Sequence, residues 1–397
     1  MLPLKERFDL PQGVIYLDGN SLGPLPRGAV ARATEVMTQQ WGQELIRAWN
    51  TAGWMDLPVR VGDRIAPLIG AAPGTVATGD TLSIKVYQAL VAALKLRPDR
   101  RLILSDKGNF PSDLYMAQGL IETLDQGYRL LTPDPEDVLN TLSARGEEVA
   151  VLMLTHVDYR TGRMHDMAAL TQAAQAAGAV VIWDLAHSAG AMALDLTGSK
   201  AEFAVGCTYK YLNGGPGAPA FIYARPDLIE AVEPALAGWM GHEAPFAMDP
   251  AYRPAMSTER LRVGTPPIVQ LAILDAALDA WEGVNLTELR AATMTLSDRF
   301  IAEVERRCPA LTLASPRDAR RRGAQVAFAF EHGYPAMQAL IDQGVIGDFR
   351  APDIMRFGFT PLFLDEDDVV AAAAVLERVI ADGLYREARF QNRAKVT

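Results

Sequence analysis

Cysteine is nearly missing from this chain: 397 residues carry only Cys207 and Cys308, far apart and in different contexts. That excludes a disulfide framework and fits a reducing cytosol. Positive charge is also scarce. Lys and Arg number 38 against 48 Asp and Glu, giving a formal net charge of −10 and a pI of about 5.1. Such a balance offers no footprint for nucleic acid or an anionic membrane and reads as a soluble, acidic surface. No unbroken apolar run approaches the ~20 residues of a bilayer span. The opening MLPLKERFDLPQG has no apolar signal core. There is no internal repeat and no low-complexity tract. These absences predict a soluble cytoplasmic protein with no membrane or nucleic-acid partner. Bulk is what the chain does have: 49% hydrophobic residues, 32 glycines and 25 prolines, enough for a large core and two domains rather than one.

From about residue 75 to 225, short apolar runs alternate with longer helical patterns. The predicted strands are Arg101–Ser105, Val149–Thr155, Ala179–Asp184, Ala204–Thr208 and Ala220–Ala224. Between them lie stretches such as Met167–Ala177, opened by an acidic residue and closed by Gly178. Unbroken apolar strands interleaved with amphipathic helices predict an α/β fold with a mostly parallel sheet covered on both faces. After Pro266–Pro267 the texture changes. A helical run through Ala280 precedes a helix over Leu286–Arg306, the basic turn RDARRRG, QVAFAF, a helix after Gly333, IMRFGFT and a closing helix over Asp365–Leu384. The expected division is an arm over 1–50 able to join either domain, a large cofactor-binding domain over 51–280, and a smaller C-terminal α+β domain over 281–397.

Ligands of open α/β sheets collect at the carboxyl ends of the strands. There AVVIWD ends in Asp184, with His187 close behind, and VLMLT ends in Thr155 and His156. AVGCT runs into Tyr209 and Lys210, followed by Gly214, Gly215 and Gly217. A strand-end aspartate with a lysine just past the next strand suits pyridoxal 5′-phosphate. The carboxylate keeps a pyridine nitrogen protonated so the ring accepts electrons, and the lysine forms the imine that a substrate amine displaces. Glycines after the lysine let the chain turn tightly beside a ring. TGDTLS, from Thr78 to Ser83, opens a clear helical period and offers N–H groups for a phosphate. Each element alone has a plainer reading: helix cap, surface lysine, packed histidine, core cysteine at Cys207. Their coincidence on successive sheet elements carries the cofactor reading.

At these residues the chain resembles the kynureninase family, fold-type I pyridoxal-phosphate enzymes of the aspartate aminotransferase superfamily. The markers are YLDGNSLGPLP (16–26), NFPSD (109–113), WDLAHSAGAM (183–192), CTYKYLNGGPGAPAF (207–221), GWMGH (238–242) and RVGTPP (262–267), spread over nearly the whole chain. The resemblance implies that Lys210 joins the cofactor as an imine and moves the proton at Cα. It implies that Asp184 pairs with the pyridinium nitrogen and Phe110 stacks on the ring. Leu82, Ser83 and Tyr209 would take the phosphate, and Asp113, Thr155 and His187 would complete the shell. Trp239 and Thr265 are expected from the second subunit of a homodimer with shared sites. Arg356 would grip the substrate α-carboxylate, a role suited to a guanidinium fork. Ser21 and Trp49 would line the pocket for the substrate's aryl ring. The segment WGQELIRAWNTAGW resembles the bacterial form, and Trp49 with Thr265 suggests preference for kynurenine over its 3-hydroxy derivative.

The implied reaction is hydrolysis of L-kynurenine to anthranilate and L-alanine by Cβ–Cγ cleavage, a step in tryptophan breakdown and in the supply of NAD precursors. Tyr209 is the candidate acid/base for hydration and collapse of the side-chain ketone. Two alternatives remain. A cysteine desulfurase-like lyase on the same fold needs a nucleophilic cysteine on a mobile loop, whereas VERRCPAL around Cys308 reads as a helix end. A non-catalytic pyridoxal-phosphate regulator usually carries an attached DNA-binding segment.

Overall fold

The structure is a computed structural model that describes residues 2–393. Its centre is a seven-stranded sheet of β1 (Val76–Thr78), β2 (Leu102–Leu104), β3 (Arg129–Leu131), β4 (Val149–Thr155), β5 (Val180–Asp184), β6 (Phe203–Gly206) and β7 (Phe221–Ala224). The spatial order is β1-β7-β6-β5-β4-β2-β3. All neighbours run parallel except β7, which is antiparallel to both β1 and β6. The mostly parallel α/β sheet expected from the apolar runs is what forms. β1, β2, β4, β5, β6 and β7 are buried at every position, the pattern of strands covered on both faces. Ile103, Val151, Ile182 and Val205 face the Leu82–Lys95 helix. Their neighbours Leu104, Leu152, Trp183 and Ala204 face a second core that includes Leu170 and Ala174 of the Met167–Ala176 helix.

Two strands of this seven-stranded sheet escaped the sequence reading, β1 and β3. Each spans three residues, too short for a pattern. β3 is a partly exposed edge and β1 pairs only with β7, so neither shows the long apolar run of the central strands.

The C-terminal part carries a four-stranded antiparallel sheet of β8 (Thr312–Leu313), β9 (Gln325–Ala329), β10 (Asp348–Arg350) and β11 (Ile354–Gly358), in the order β8-β9-β11-β10. The Leu286–Arg307 and Glu366–Ala381 helices pack together beside it, and Asp365 caps the latter in a capping box with Asp368. Register sets Arg356 opposite Asp348 on one side and Ala327 on the other, and places Gln325 opposite Gly358.

The N-terminal arm bonds to both parts. Its Ile15–Tyr16 strand pairs in parallel with Val345–Ile346, and Gly358 N–H donates to Leu17 O at 2.7 Å. Gly23 N–H donates to Tyr209 O at 2.8 Å. A Cβ on Gly23 would sit 2.3 Å from Lys210 O and from Asn213 Oδ1, so only glycine lets the arm lie on the Tyr209–Lys210 turn.

Candidate active site

Strand register brings the predicted residues together at the carboxyl ends of β4 and β5, where Thr155 and Asp184 are direct partners. Asp184 Oδ1 accepts from Ala186 N–H at 2.7 Å, and the Thr155 hydroxyl approaches Oδ2 at 3.5 Å. That hydroxyl donates more closely to Asn109 Oδ1, which also receives Phe110 N–H at 2.7 Å. Asn109 Nδ2 in turn donates to Ser105 Oγ at 2.8 Å, so one buried amide anchors the NFPSD segment to two strand ends. Phe110 then opens the Pro111–Leu124 helix and keeps its ring 40% exposed, edge-on to Tyr159 at 5.2 Å.

Asp113 lies in the first turn of that helix, buried, with Oδ2 unpartnered among the described residues. Burial, then the neighbouring Asp184 charge, push its carboxyl well above the ordinary range, while Lys210 opposes the shift. Burial also raises Asp184, against the pull of Ala186 N–H and Lys210. Two buried carboxyls thus share a place where one positive charge is wanted.

Lys210 follows β6, on a turn continued by Gly215 and Gly217 with φ of +83° and +78°. Its Nζ lies 2.9 Å from His187 Nε2, and His187 Nδ1 lies 2.8 Å from Gln325 Oε1. Burial, Lys210 and Arg356 hold the imidazole well below its usual pKa, so it is neutral. The Tyr209 hydroxyl is raised by burial and by the Cys207 thiol beside it, and therefore carries its proton.

Arg356 is 1% exposed. Its Nε donates to Asp348 Oδ1 at 2.6 Å and its Nη2 to Oδ2, a two-pronged pair set up by the β10–β11 register. Nη2 also reaches Ser21 Oγ at 3.0 Å, and Nη1 donates to Tyr159 O. Arg350 Nη2 approaches Asp348 Oδ2 at 2.8 Å. Burial, then the Asp348 charge, raise Asp18 to about 8, so it is largely protonated at neutral pH. Two guanidinium groups against one carboxylate leave one positive charge, room for one incoming carboxylate.

The Leu82–Lys95 helix begins at Thr81 with no side-chain cap, so the N–H groups of its first turn, Leu82 and Ser83 included, are left for another acceptor. Ser83 Oγ lies 2.8 Å from Ser112 Oγ, tying this end to the NFPSD segment. Within the chain, three predicted residues stand apart from the bonded network. Trp239 is 40% exposed and edge-on to Phe246, Thr265 is exposed, and Trp49 is half-buried edge-on to Trp54.

Both cysteines are free and buried. Burial raises Cys308, at the end of the Leu286–Arg307 helix, to about 11, and it also raises Cys207. Neither is the exposed, mobile thiolate a desulfurase requires.

A kynureninase of Burkholderia pseudomallei is 51% identical over 404 aligned residues, covering all of this chain and 96% of its own length. A kynureninase of Pseudomonas fluorescens is 48% identical over the same coverage. The chain belongs to the kynureninase family. A family model described as the kynureninase C-terminal domain matches residues 289–376 of this family member. A solved cysteine desulfurase of Thermococcus onnurineus shares the fold, with a TM-score of 0.81 over 96% of this chain and 99% of its own, at 20% identity.

Several residues of this kynureninase-family site went unnoticed in the sequence. Gln325, Asp348 and Asp18 join the network above, each an isolated polar residue on or beside a short apolar strand. Lys85, on the Leu82–Lys95 helix, is fully buried and bonded to Asp80 at 3.1 Å, Gln88 at 2.9 Å and Leu261 O at 3.2 Å. The available signal was position: Gln325 opens QVAFAF and Asp348 opens DFR, where a strand otherwise wants apolar residues.

Proposed function

We propose that this chain hydrolyses L-kynurenine to anthranilate and L-alanine with pyridoxal 5′-phosphate as cofactor. The observation that carries the reading is the meeting, in one buried network, of Lys210, Asp184 and the carboxylate-ready Arg356. Full-length relatives at 48–51% identity bearing the kynureninase name support it.

The residues fit the cofactor. The raised Asp113 and Asp184 carboxyls feel Lys210 but have no cation hydrogen-bonded to them among the described residues; a protonated ring nitrogen would supply one, with Asp184 as its partner. The uncapped helix start would take the phosphate through Leu82 and Ser83, with Tyr209 reaching it and Phe110, Thr155 and His187 completing the shell. When bound, pyridoxal phosphate supplies an electron sink for the charge left at the substrate Cα. Lys210 takes and returns the Cα proton. Arg356, oriented by Asp348, receives the α-carboxylate, and Ser21 lines the aryl side. Tyr209 gives a proton to the Cγ ketone oxygen and takes one from the water that adds, then relays a hydroxyl proton of the collapsing hydrate to Cβ. The Cβ–Cγ electrons pass to Cβ, which is protonated to leave alanine, while Cγ departs as the anthranilate carboxyl. A positioned acid/base of this kind contributes about 10²–10⁴-fold.

The working unit in this reading is a homodimer. Large apolar side chains stand exposed on the arm (Trp41, Leu45 and Ile46) and around Trp239 (Phe246 and Met248), a surface a second copy would cover. Trp239 and Thr265 then complete the partner's site, and Trp49 with Thr265 favours kynurenine over 3-hydroxykynurenine. The acidic charge and two unpaired cysteines support a cytoplasmic location; among the described residues no helix is long and apolar enough to cross a membrane. Anthranilate fluorescence after adding L-kynurenine and pyridoxal phosphate to purified protein tests the function. No anthranilate, or sulfide released from L-cysteine in its place, would overturn it.

A further inference from the structure

We propose that Gln325 is a positioning residue that fixes the proton of His187 on Nδ1, so that Nε2 is an acceptor for Lys210 Nζ, and that it couples this contact to the carboxylate end of the site. The inference rests on the function above, because it assigns Lys210 and Arg356 the roles given there.

The geometry leaves the Gln325 amide one orientation. Its Nε2 lies 3.1 Å from Asp158 O and 2.9 Å from Tyr159 O, two backbone carbonyls that only accept. The amide nitrogen must face them, and Oε1 must face His187 Nδ1 at 2.8 Å. An amide oxygen only accepts, so Nδ1 must donate. A neutral imidazole has one proton, and with it on Nδ1 the other nitrogen presents a lone pair 2.9 Å from Lys210 Nζ. The charged groups facing His187, namely Lys210, Arg356 and Arg350, are all cationic and oppose a second proton. Gln325 is 0% exposed, so water does not compete for its amide.

The coupling has a structural route. Gln325 sits on β9 opposite Gly358 of β11, the strand that carries Arg356. Tyr159 O accepts from Gln325 Nε2 and from Arg356 Nη1, so one carbonyl holds both residues. A substrate carboxylate drawn to Arg356 competes with that carbonyl for the Nη1 edge. Any shift of Tyr159 is felt at once by Gln325, His187 and Lys210, three groups joined by consecutive hydrogen bonds. A buried glutamine thereby links the small sheet to the lysine of the large one.

The test uses the full chain, labelled with ¹⁵N-histidine, before and after saturation with pyridoxal phosphate. His187→Asn identifies its signal among the five histidines. Wild type is expected to show the Nδ1–H tautomer, and Gln325→Leu to lose that preference. Loss of an orienting partner to a metal-bound histidine costs about 10–100-fold, and a loss of that order is expected here in kcat with KM moving far less. Gln325→Glu is nearly isosteric and keeps the fold testable. Its carboxylate would hold a second proton on the imidazole, moving the acid limb of the kcat profile upward by about a pH unit or more. An Nε2–H tautomer in wild type, or an unmoved acid limb in Gln325→Glu, overturns the proposal. Lys210→Ala distinguishes the levels: if it keeps the visible cofactor band, the site reading falls and this proposal with it. If the band is lost there while Gln325→Glu behaves as wild type, this proposal alone is overturned.

Discussion

Replacing Asp184 by asparagine should raise the stability of the cofactor-free chain while nearly abolishing turnover. Asparagine keeps an oxygen where Asp184 Oδ1 accepts Ala186 N–H at 2.7 Å, so the strand end holds its shape. What disappears is a buried charge whose neighbours are the Asp113 carboxyl and a lysine engaged with His187. An inadequately compensated buried polar or charged group costs about 1–3 kcal/mol. The variant should therefore melt a few degrees higher without cofactor, and Asp113, relieved of the Asp184 charge, should titrate lower. Catalysis moves the other way. Without a carboxylate the ring nitrogen loses its proton, and electrostatic contacts of this kind contribute about 10²–10³-fold or more. The assay is a thermal melt without cofactor beside anthranilate release at saturating cofactor and kynurenine. A variant that melts lower and still turns over near the wild-type rate would refute both halves of the reasoning.

Other expectations follow from the same network. Arg356→Lys loses the planar fork and should raise KM for kynurenine about 10- to 100-fold, the size of a charge-assisted contact of 1.5–3 kcal/mol; an unchanged KM would remove Arg356 from the carboxylate site. Asp18 keeps its proton in the fold up to about 8 but releases it near 3.8 when unfolded, so the fold binds the extra proton and stability falls as pH rises between those values. Asp18→Asn should flatten that decline in a series of denaturant titrations, and an unchanged slope would contradict the shift. Mixing inactive Lys210→Ala with inactive Trp239→Ala should restore activity through the one hybrid site that has both residues; confirmed subunit exchange without activity would mean unshared sites. Wild type should show a higher kcat/KM for kynurenine than for 3-hydroxykynurenine, and Trp49→His with Thr265→Asn should narrow the gap; equal preference would detach both residues from the aryl pocket.

The central strands were legible because burial on both faces leaves nothing but apolar residues, as in VAVLMLT and AVVIWD. The residues following them were legible because chemistry concentrates at those carboxyl ends, and Asp184 and Lys210 lie there as read. The edges β1 and β3 were not, being three residues long and free of alternation. The small-sheet residues were hidden for a different reason. Asp348 meets Arg356 across β10 and β11, and Gln325 meets His187 across 138 positions of chain, pairings that only register and domain packing create. The burial of Lys85 left no local signal, because the Leu261 segment it bonds to comes from far along the chain.

The most direct test of the account is to reduce the holoenzyme with borohydride and map the labelled peptide. The account predicts cofactor attached to Lys210 alone, on the turn after β6, and no visible cofactor band in Lys210→Ala. Label on Lys85, buried against Asp80, or on exposed Lys200 would contradict it.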